Sequence, residues 1–475
     1  MINSSELADL PADHTPAGGL PVAPSLEPAL QTASLPPLPF LADHRTLFIS
    51  ALAIALGLLA VLISRALTAL IGLSTNLAYF GRVSTAFVSP ANHHLGYWSV
   101  LVPVAGGLLV GLMARYGSAA IRGHGIPEAM EQVLRNESRI PARITFLKPL
   151  SAAISIGTGG PFGAEGPIIA TGGALGSLIG QIIHTTASER KALLAAGAAA
   201  GMTATFGTPI SAVLLAVELL LFEFKARSLI PVALACATAA AARLSLVGSV
   251  AVFAMPTIAH VTSTAITGYT LVGALAGFIS IYITKLVYWI EDLFEHLPLH
   301  WMWWPAIGGT AVGLAGLVAP HTLGVGYDNI EHILDGSLSG QLLIVFCFMK
   351  LVSWSIALGS GTSGGTLAPL FTIGGGLGAV TGAFLNTIPA FSTVDPRIAA
   401  LVGMAATFAG SSRAFLTSLM FAYEATHQQS ALIPLLSGCT AAYLVSSLLM
   451  RNTIMTEKIV RRGITVPAEY SAELS

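Results

Sequence analysis

A single carboxylate, that of Glu165, stands inside a glycine-rich break in a long apolar stretch. The break reads GTGGPFGAEGP over residues 157–167. A charge at membrane depth costs a few kcal/mol, so a glutamate there indicates a functional site. The glycines let backbone N–H groups face open space at the start of a helix, where the helix dipole favours an anion. A carboxylate at such a position can block an anion site and can be moved out of it.

Two further glycine-rich breaks resemble the first in composition. They read GHGIPE (123–128) and GSGTSGGTLAP (359–369). Each precedes an apolar run, and each carries a proline near the first helical turn, where a missing N–H costs nothing. Three helix starts that meet at one point would attract an anion through partial charges of about +0.5 each. The sequence therefore predicts a site that holds an anion without a full counter-charge and lets it leave.

The elements that position these breaks are predicted to be membrane helices. The 475 residues are 54% hydrophobic and 9% charged, whereas a soluble domain carries about 25% charged residues. We expect an all-α, multi-pass membrane protein with about 17 or 18 helices of uneven length. Several apolar runs are too short to cross a membrane core that requires about 20 residues. This is typical of transporters and channels with a binding site near the membrane midplane.

Four sequence features recur in the same order in the two halves of the chain. The pairs lie roughly 202–206 residues apart and are GTG with Pro167 and GSG with Pro369, GAAA (197–200) and GMAA (403–406), ATF (204–206) and ATF (406–408), and LIP (229–231) and LIP (432–434). Four features in one order indicate a duplication. We predict two inverted repeats, at about 97–250 and 303–450, related by a pseudo-two-fold axis.

The two ends of the chain differ from the membrane region. Residues 1–44 hold eight prolines and neither lysine nor arginine, which predicts a disordered tail and differs from a secretory signal with its basic start. Residues 45–463 form the predicted membrane domain, and 464–475 a short tail that is too small for an appended regulatory domain. Three basic residues at the end of the predicted membrane domain favour a cytoplasmic C-terminus by the positive-inside rule. They are Lys458, Arg461 and Arg462.

The motifs GxGIPE, GxxGPxGxEGP and GSGxSGGxxxP, in this order and spacing, resemble those of the CLC family of chloride channels and chloride/proton antiporters. The resemblance covers about residues 45–463. It implies a homodimer in the lipid bilayer, with one pore in each subunit, and a bacterial inner (plasma) membrane as its location. The transported ligand would be chloride or another small anion, with no cofactor. The sequence leaves the choice among chloride, nitrate, bromide and fluoride open, and it contains no nucleic-acid or metal motif.

The resemblance implies a role for each matched residue. Glu165 matches the gating glutamate, which competes with the anion and moves when it is protonated. Lys148 matches a basic position on the preceding helix, although a lysine that snorkels from a helix start to the membrane surface is the alternative. The implied anion-binding residues are Gly123, His124, Gly125, Ile126, Gly163, Ala164, Gly166, Thr366, Leu367 and Met455.

Two positions depart from the family pattern at the anion site. His124 stands where the family has serine or proline, and Met455 stands where it has a tyrosine. Because methionine has no hydrogen-bond donor, we hypothesise that the His124 imidazole supplies the side-chain hydrogen bond to the anion. The alternative is that His124 points away and hydrogen-bonds a carbonyl.

A third departure concerns protons. Leu219 aligns with the inner glutamate of well-studied antiporters, and Glu218 precedes it. Glu218 is a candidate for the proton route, and the alternative is a helix-end carboxylate paired with Lys225 or Arg227. We favour chloride/proton exchange, with a passive voltage- or pH-gated chloride channel as the alternative.

An intramembrane hydrolase is a remote further alternative to a transporter. Its nucleophile would be Ser363, in the third glycine-rich break. No histidine is tied to Ser363 by spacing, and the family motif already accounts for the break. We therefore expect a transporter without enzymatic activity.

Overall fold

The computed structural model describes residues 43–258 and 260–467, and within them the chain forms 17 α-helices and no β-sheet. This confirms the all-α fold that composition and helix count predicted. Nearly all of the predicted N-terminal tail, and residues 468–475 of the predicted C-terminal tail, lie outside the described residues.

The first half of the membrane region contains eight helices. They are α1 His44–Phe80, α2 Leu101–Tyr116, α3 Ile126–Arg135, α4 Ile144–Gly157, α5 Glu165–Ile182, α6 Ala187–Phe206, α7 Pro209–Leu215 and α8 Ala226–Val247. Helix α7 continues into one π-helical turn, Ala216–Leu221. Helix α1 runs without interruption for 37 residues, and the one arginine in its middle, Arg65, lies exposed on its surface.

The second half contains nine helices. They are α9 Ser263–Glu295, α10 Trp304–Val318, α11 Tyr327–Leu334, α12 Gly340–Gly359, α13 Leu367–Asn386, α14 Pro396–Ser412, α15 Phe415–Thr426, α16 Leu432–Leu449 and α17 Glu457–Arg461. In the described part of the chain, seven helices are long and apolar enough to cross a membrane. They are α1, α8, α9, α12 and α13, together with α2 and α16 when the helical turn before each is included (Gly96–Tyr116 and Gln429–Leu449). The protein is therefore an integral, multi-pass membrane protein with helices of uneven length.

Each half packs its central helix pair through glycines at matching positions. Gly172 of α5 faces Gly197 of α6 so closely that a Cβ on either glycine would overlap the carbonyl oxygen of the other. Gly374 of α13 and Gly403 of α14 make the same reciprocal contact in the second half. Small residues of this kind let helix backbones approach in membranes. Gly197 and Gly403 belong to the repeated motifs, so the two halves use the matched glycines for the same helix contact.

Two glutamates cap helices across the boundary between the halves. Glu218, in the turn after α7, accepts hydrogen bonds from the backbone N–H groups of Leu416 (2.9 Å) and Thr417 (2.9 Å) at the start of α15. Glu424 of α15 accepts them from Ile210 (3.0 Å) and Ser211 (2.8 Å) at the start of α7. N–H groups at a helix start have no partner inside their helix, and a carboxylate satisfies two of them.

The predicted pairing of Glu218 with Lys225 or Arg227 is therefore wrong. The Glu218 carboxylate is directed into the other half, where the Thr417 hydroxyl also donates to it at 2.6 Å. Lys225 pairs with Glu223 at 3.3 Å. The start of α15 provides backbone N–H donors that are fixed in position. Lys225 is more than half exposed, and an ion pair with an exposed lysine contributes little because water solvates its charge.

Candidate anion site

The three glycine-rich breaks lie together, and backbone hydrogen bonds join them. The third break contacts both of the others. The Gly123 N–H donates to the Thr362 carbonyl at 2.9 Å, and the Gly365 N–H donates to the Gly163 carbonyl at 3.0 Å. The starts of α3, α5 and α13 are thereby held at one place, as the sequence required of an anion site.

The first and second breaks touch each other through glycine. A Cβ added to Gly166 would overlap the carbonyl oxygen of His124, and one added to Gly125 would overlap that of Gly166. Gly125 also has φ +95°, a conformation that side chains rarely adopt. Glycine at these two positions is therefore required for the approach of α3 to α5.

Glu165 is the first residue of α5 and is fully buried. Its carboxylate folds back over Gly163, where an added Cβ would overlap Oε2. Oε1 accepts a hydrogen bond from the Tyr327 hydroxyl at 3.2 Å, and the backbone N–H groups of Glu165 and Ala368 face the carboxylate. Oε2 has no hydrogen-bond partner among the described residues. The carboxylate thus lies where the helix starts converge, in the position an anion would take.

Two buried lysines hold the loops that lead into the site. Lys148 of α4 donates from Nζ to the carbonyls of Ile121 and Gly123, both at 2.8 Å. It is 1% exposed, so the alternative of a snorkelling lysine is wrong: the carbonyls that end the preceding loop satisfy its charge inside the protein. The Lys148 ammonium group therefore holds the first break in place through these two carbonyls.

Sequence reasoning missed Lys350 of α12, which makes the matching contacts in the second half. Its Nζ donates to the carbonyls of Thr322 at 3.0 Å and Gly324 at 3.2 Å. The loop it holds is a fourth glycine-rich break, residues 324–326, which precedes α11. The signal that could have found both features is the repeat itself, because they lie one repeat length after Lys148 and the first break.

His124 lines a cavity of about 380 Å³ together with Arg122, Glu128, Glu291 and Lys458. Its side chain is buried, and Nδ1 has no hydrogen-bond partner in the described part of the chain. No hydrogen bond joins the imidazole to a carbonyl there, so the alternative orientation of His124 has no support. A buried imidazole nitrogen without a partner has hydrogen-bonding capacity to spare, and the residue that carries it borders the cavity.

The C-terminal segment that carries Met455 is anchored beside the first break. Lys458 pairs with Glu128 at 2.9 Å, and the other Glu128 oxygen accepts the Gly125 N–H at 2.7 Å. The hydroxyl of Tyr288 donates to the Ile454 carbonyl at 2.8 Å. Met455 is fully buried, and it offers only a thioether.

The remaining predicted residues lie in three places. Ile126, Ala164, Thr366 and Leu367 are buried at the starts of α3, α5 and α13, and the Thr366 hydroxyl has no partner among the described residues. Glu218 lies apart from the breaks, at the boundary between the halves. Ser363, the nucleophile of the hydrolase alternative, is fully buried and its hydroxyl accepts a hydrogen bond from Ser151 at 3.1 Å.

Comparison with known families agrees with this arrangement. Residues 106–447 match the family described as voltage gated chloride channel. The chain belongs to the CLC family. The matched range includes the starts of α3, α5 and α13, and therefore all three glycine-rich breaks.

Individual relatives share 30% or less of their aligned residues with this chain. The chain is 30% identical over 375 residues to chloride channel protein CLC-f of Arabidopsis thaliana, covering 73% of this chain and 47% of the plant protein. It is 28% identical over 379 residues to the H(+)/Cl(-) exchange transporter ClcA of Vibrio campbellii, covering 77% and 80%. A slow cyanobacterial Cl-/H+ antiporter has a similar fold, with a TM-score of 0.78, 23% identity and coverage of 89% and 98%. A CLC-type fluoride/proton antiporter gives 0.69 at 20% identity, covering 86% and 97%.

Proposed function

We propose that this CLC protein carries chloride across a membrane in exchange for protons, with Glu165 as the gate. The observation that carries the proposal is the place of its carboxylate: fully buried, at the start of α5, and facing the N–H groups of α5 and α13. An ionised carboxylate out of water is costly unless it is compensated. Here the compensation comes from groups that would serve a chloride ion equally well.

The exchange follows from competition for one set of donors. In the closed state the Glu165 carboxylate occupies the site. A chloride ion that takes its place displaces the side chain, and the displaced carboxylate binds a proton on one oxygen. Return of the side chain requires release of that proton and departure of the chloride. The Glu165 side chain therefore responds to both ions: chloride displaces it from the site, and the proton binds it only in the displaced position.

The chloride ion would be held mainly by backbone dipoles. The N–H groups of Gly163 and Gly166 lie at the start of α5, and those of Thr366 and Leu367 at the start of α13, next to the Glu165 and Ala368 N–H groups that face the carboxylate. The Ala164 N–H, also predicted to bind the anion, donates to the Tyr327 hydroxyl in this structure. Gly123, Gly125 and Ile126 shape the third side of the site. Partial charges at helix starts attract an anion without trapping it.

We infer that His124 adds a side-chain donor to the site. Two observations support this role: its Nδ1 is buried without a partner among the described residues, and the residue borders the cavity. Met455 is the opposite case, because a thioether cannot donate a hydrogen bond to an anion. We therefore assign the side-chain hydrogen bond at this end of the site to His124.

A passive chloride channel is the alternative, and one residue favours it. Leu219 is apolar at the position that the sequence analysis assigned to the inner proton-carrying acid, and Glu218 beside it caps α15. The naming of the Vibrio relative as an exchange transporter supports exchange. We propose no enzymatic activity and no cofactor for this chain.

We also propose a homodimer in the plasma membrane of a bacterium. Apolar side chains on two helices of the repeated segments face outward and fit a contact with a second copy. They include Ile230 and Leu234 of α8, and Ile433 and Leu436 of α16. Each of these helices contains one of the repeated LIP motifs, 229–231 and 432–434.

The test records two ions at once. Purified protein in chloride-loaded liposomes is given an outward chloride gradient, and external chloride and pH are followed together. Exchange predicts that the chloride gradient drives protons uphill into the liposomes. Chloride efflux without proton movement at any pH would make the chain a channel.

A further inference from the structure

The hydroxyl of Tyr327 joins the gate to the backbone of its own helix start. It donates to Glu165 Oε1 at 3.2 Å and accepts the Ala164 N–H at 3.3 Å. Tyr327 comes from the second half of the molecule, at the first position of α11. The gate is therefore bound on one side by its own half and on the other by a side chain from the opposite half.

The ring of Tyr327 is fixed by other aromatic rings. It meets Phe206 edge to face with the centroids 5.7 Å apart, and Phe253 with the centroids 5.9 Å apart. Phe206 in turn contacts Phe421 at 5.2 Å. Such arrangements are favourable and leave a ring little freedom to turn. The hydroxyl group therefore has one position in this structure.

The backbone before Tyr327 is also held in place. Gly326 has φ +73°, and the Lys350 ammonium group binds the Gly324 carbonyl at 3.2 Å. The Gly324 N–H donates to the Gly159 carbonyl in the loop before α5 at 3.0 Å. These contacts do not involve Glu165. When the Glu165 side chain moves, the Tyr327 hydroxyl has no reason to follow it.

We propose that the Tyr327 hydroxyl is a ligand shared by the gate and the transported anion. It donates its O–H to the Glu165 carboxylate when the site is closed, and the same O–H to the anion when the carboxylate has left. The inference rests on the proposed role of Glu165. The Tyr327 hydroxyl is then a fixed side-chain donor for which the carboxylate and the anion compete.

This arrangement predicts different effects of one substitution in two backgrounds. With Glu165 present, Tyr327→Phe removes one hydrogen bond from the carboxylate in the closed state and one from the anion in the bound state, so the two losses offset and chloride affinity changes little. With Glu165→Ala, the competitor is gone and Tyr327→Phe only removes a donor from chloride, so chloride binds more weakly. A hydrogen bond to a charged group is strong enough for about a tenfold change in affinity. The offset in the first background is complete when the closed state dominates in the absence of chloride.

Titration calorimetry with chloride, at one fixed neutral pH in detergent, measures all four proteins: the wild type, Tyr327→Phe, Glu165→Ala and the double variant. The expected result is about tenfold weaker chloride binding for the double variant than for Glu165→Ala, and a much smaller change between the wild type and Tyr327→Phe. An equal loss of affinity in both pairs would make Tyr327 a ligand of the anion alone. Tighter binding in Tyr327→Phe, with no change in the second pair, would make it a ligand of the gate alone. Either result, or equal affinities within both pairs, would overturn the shared ligand.

Two controls keep the result interpretable. Tyr269→Phe removes a buried hydroxyl that accepts the Asp395 N–H at 3.0 Å and is not a partner of Glu165, and it should leave chloride affinity unchanged. If Tyr327→Phe does not elute as a folded protein, Tyr327→Leu gives the same comparison. The single variant Glu165→Ala tests the gate by itself: chloride affinity equal to that of the wild type would refute the gate without reference to Tyr327.

Discussion

Lys148 in the first half and Lys350 in the second half make the same contacts. Each sits on the helix before a glycine break, is buried, and donates to two carbonyls of the loop before a short helix. Glu218 and Glu424 likewise cap one another's helices. The two halves therefore share the groups that hold the helix starts in place.

The groups that would meet the transported ions are not shared. Glu165 at the start of α5 corresponds to Leu367 at the start of α13, and His124 corresponds to Val325. A site with two-fold symmetry would treat both helix starts alike. The duplicated scaffold brings the starts together, and a few unmatched side chains give one of them a charge that can be protonated. Substitutions at corresponding positions of the two halves therefore distinguish residues that hold the fold, where both halves should respond alike, from residues that contact the ions, where only one should respond.

The largest effect is expected at the two lysines. Lys148→Met and Lys350→Met each leave two buried carbonyls without their donor, and an unsatisfied buried group costs about 1–3 kcal/mol. We expect each variant to lose about 2–4 kcal/mol of stability, seen as a lower melting temperature in detergent. The two losses should be similar.

Lys285→Met is the control for that pair, because Lys285 lies exposed on α9. It should melt as the wild type does. If Lys148→Met lowered the melting temperature and Lys350→Met did not, the two lysines would not be equivalent. The claim that both halves are held together by the same groups would then be wrong.

The second effect concerns anion affinity. His124→Ala removes a donor that we assign to the anion, and a hydrogen bond to a charged group corresponds to about a tenfold loss of chloride affinity. Val325→Ala, at the matched position, should leave that affinity unchanged. Chloride titration calorimetry measures both. Unchanged affinity in His124→Ala would remove His124 from the site.

The smallest effect is expected at the reciprocal caps. Glu218→Gln and Glu424→Gln each weaken a helix cap, which costs about 1 kcal/mol, and melting temperatures should fall equally. Proton movement in liposomes should persist in both variants. Loss of proton movement in Glu218→Gln alone would assign Glu218 to the proton route and end its equivalence with Glu424.

Much of the fold could be predicted from local pattern. Apolar runs gave the helices, and the matching of Gly197 with Gly403 gave the duplication, because helix packing in membranes depends on small residues at fixed spacing. The three breaks could also be predicted, since glycine followed by proline at a helix start has a direct physical meaning.

Contacts between distant elements could not be predicted in the same way. Nothing next to Glu218 in the sequence points to the start of α15, which lies almost 200 residues later, so the nearby Lys225 was the natural but incorrect partner. Tyr327 was missed for the same reason, because its bond to Glu165 exists only once the two halves are packed. The repeat was the one long-range signal available, and applied consistently it would have found Lys350.

The most direct test of the account is made on one residue. Glu165→Gln keeps the size of the gate but removes the charge and the proton. In chloride-loaded liposomes, with chloride and pH recorded together, the account predicts that chloride continues to flow and that proton movement stops. Continued proton movement coupled to chloride in Glu165→Gln would contradict it, because another group would then carry the proton.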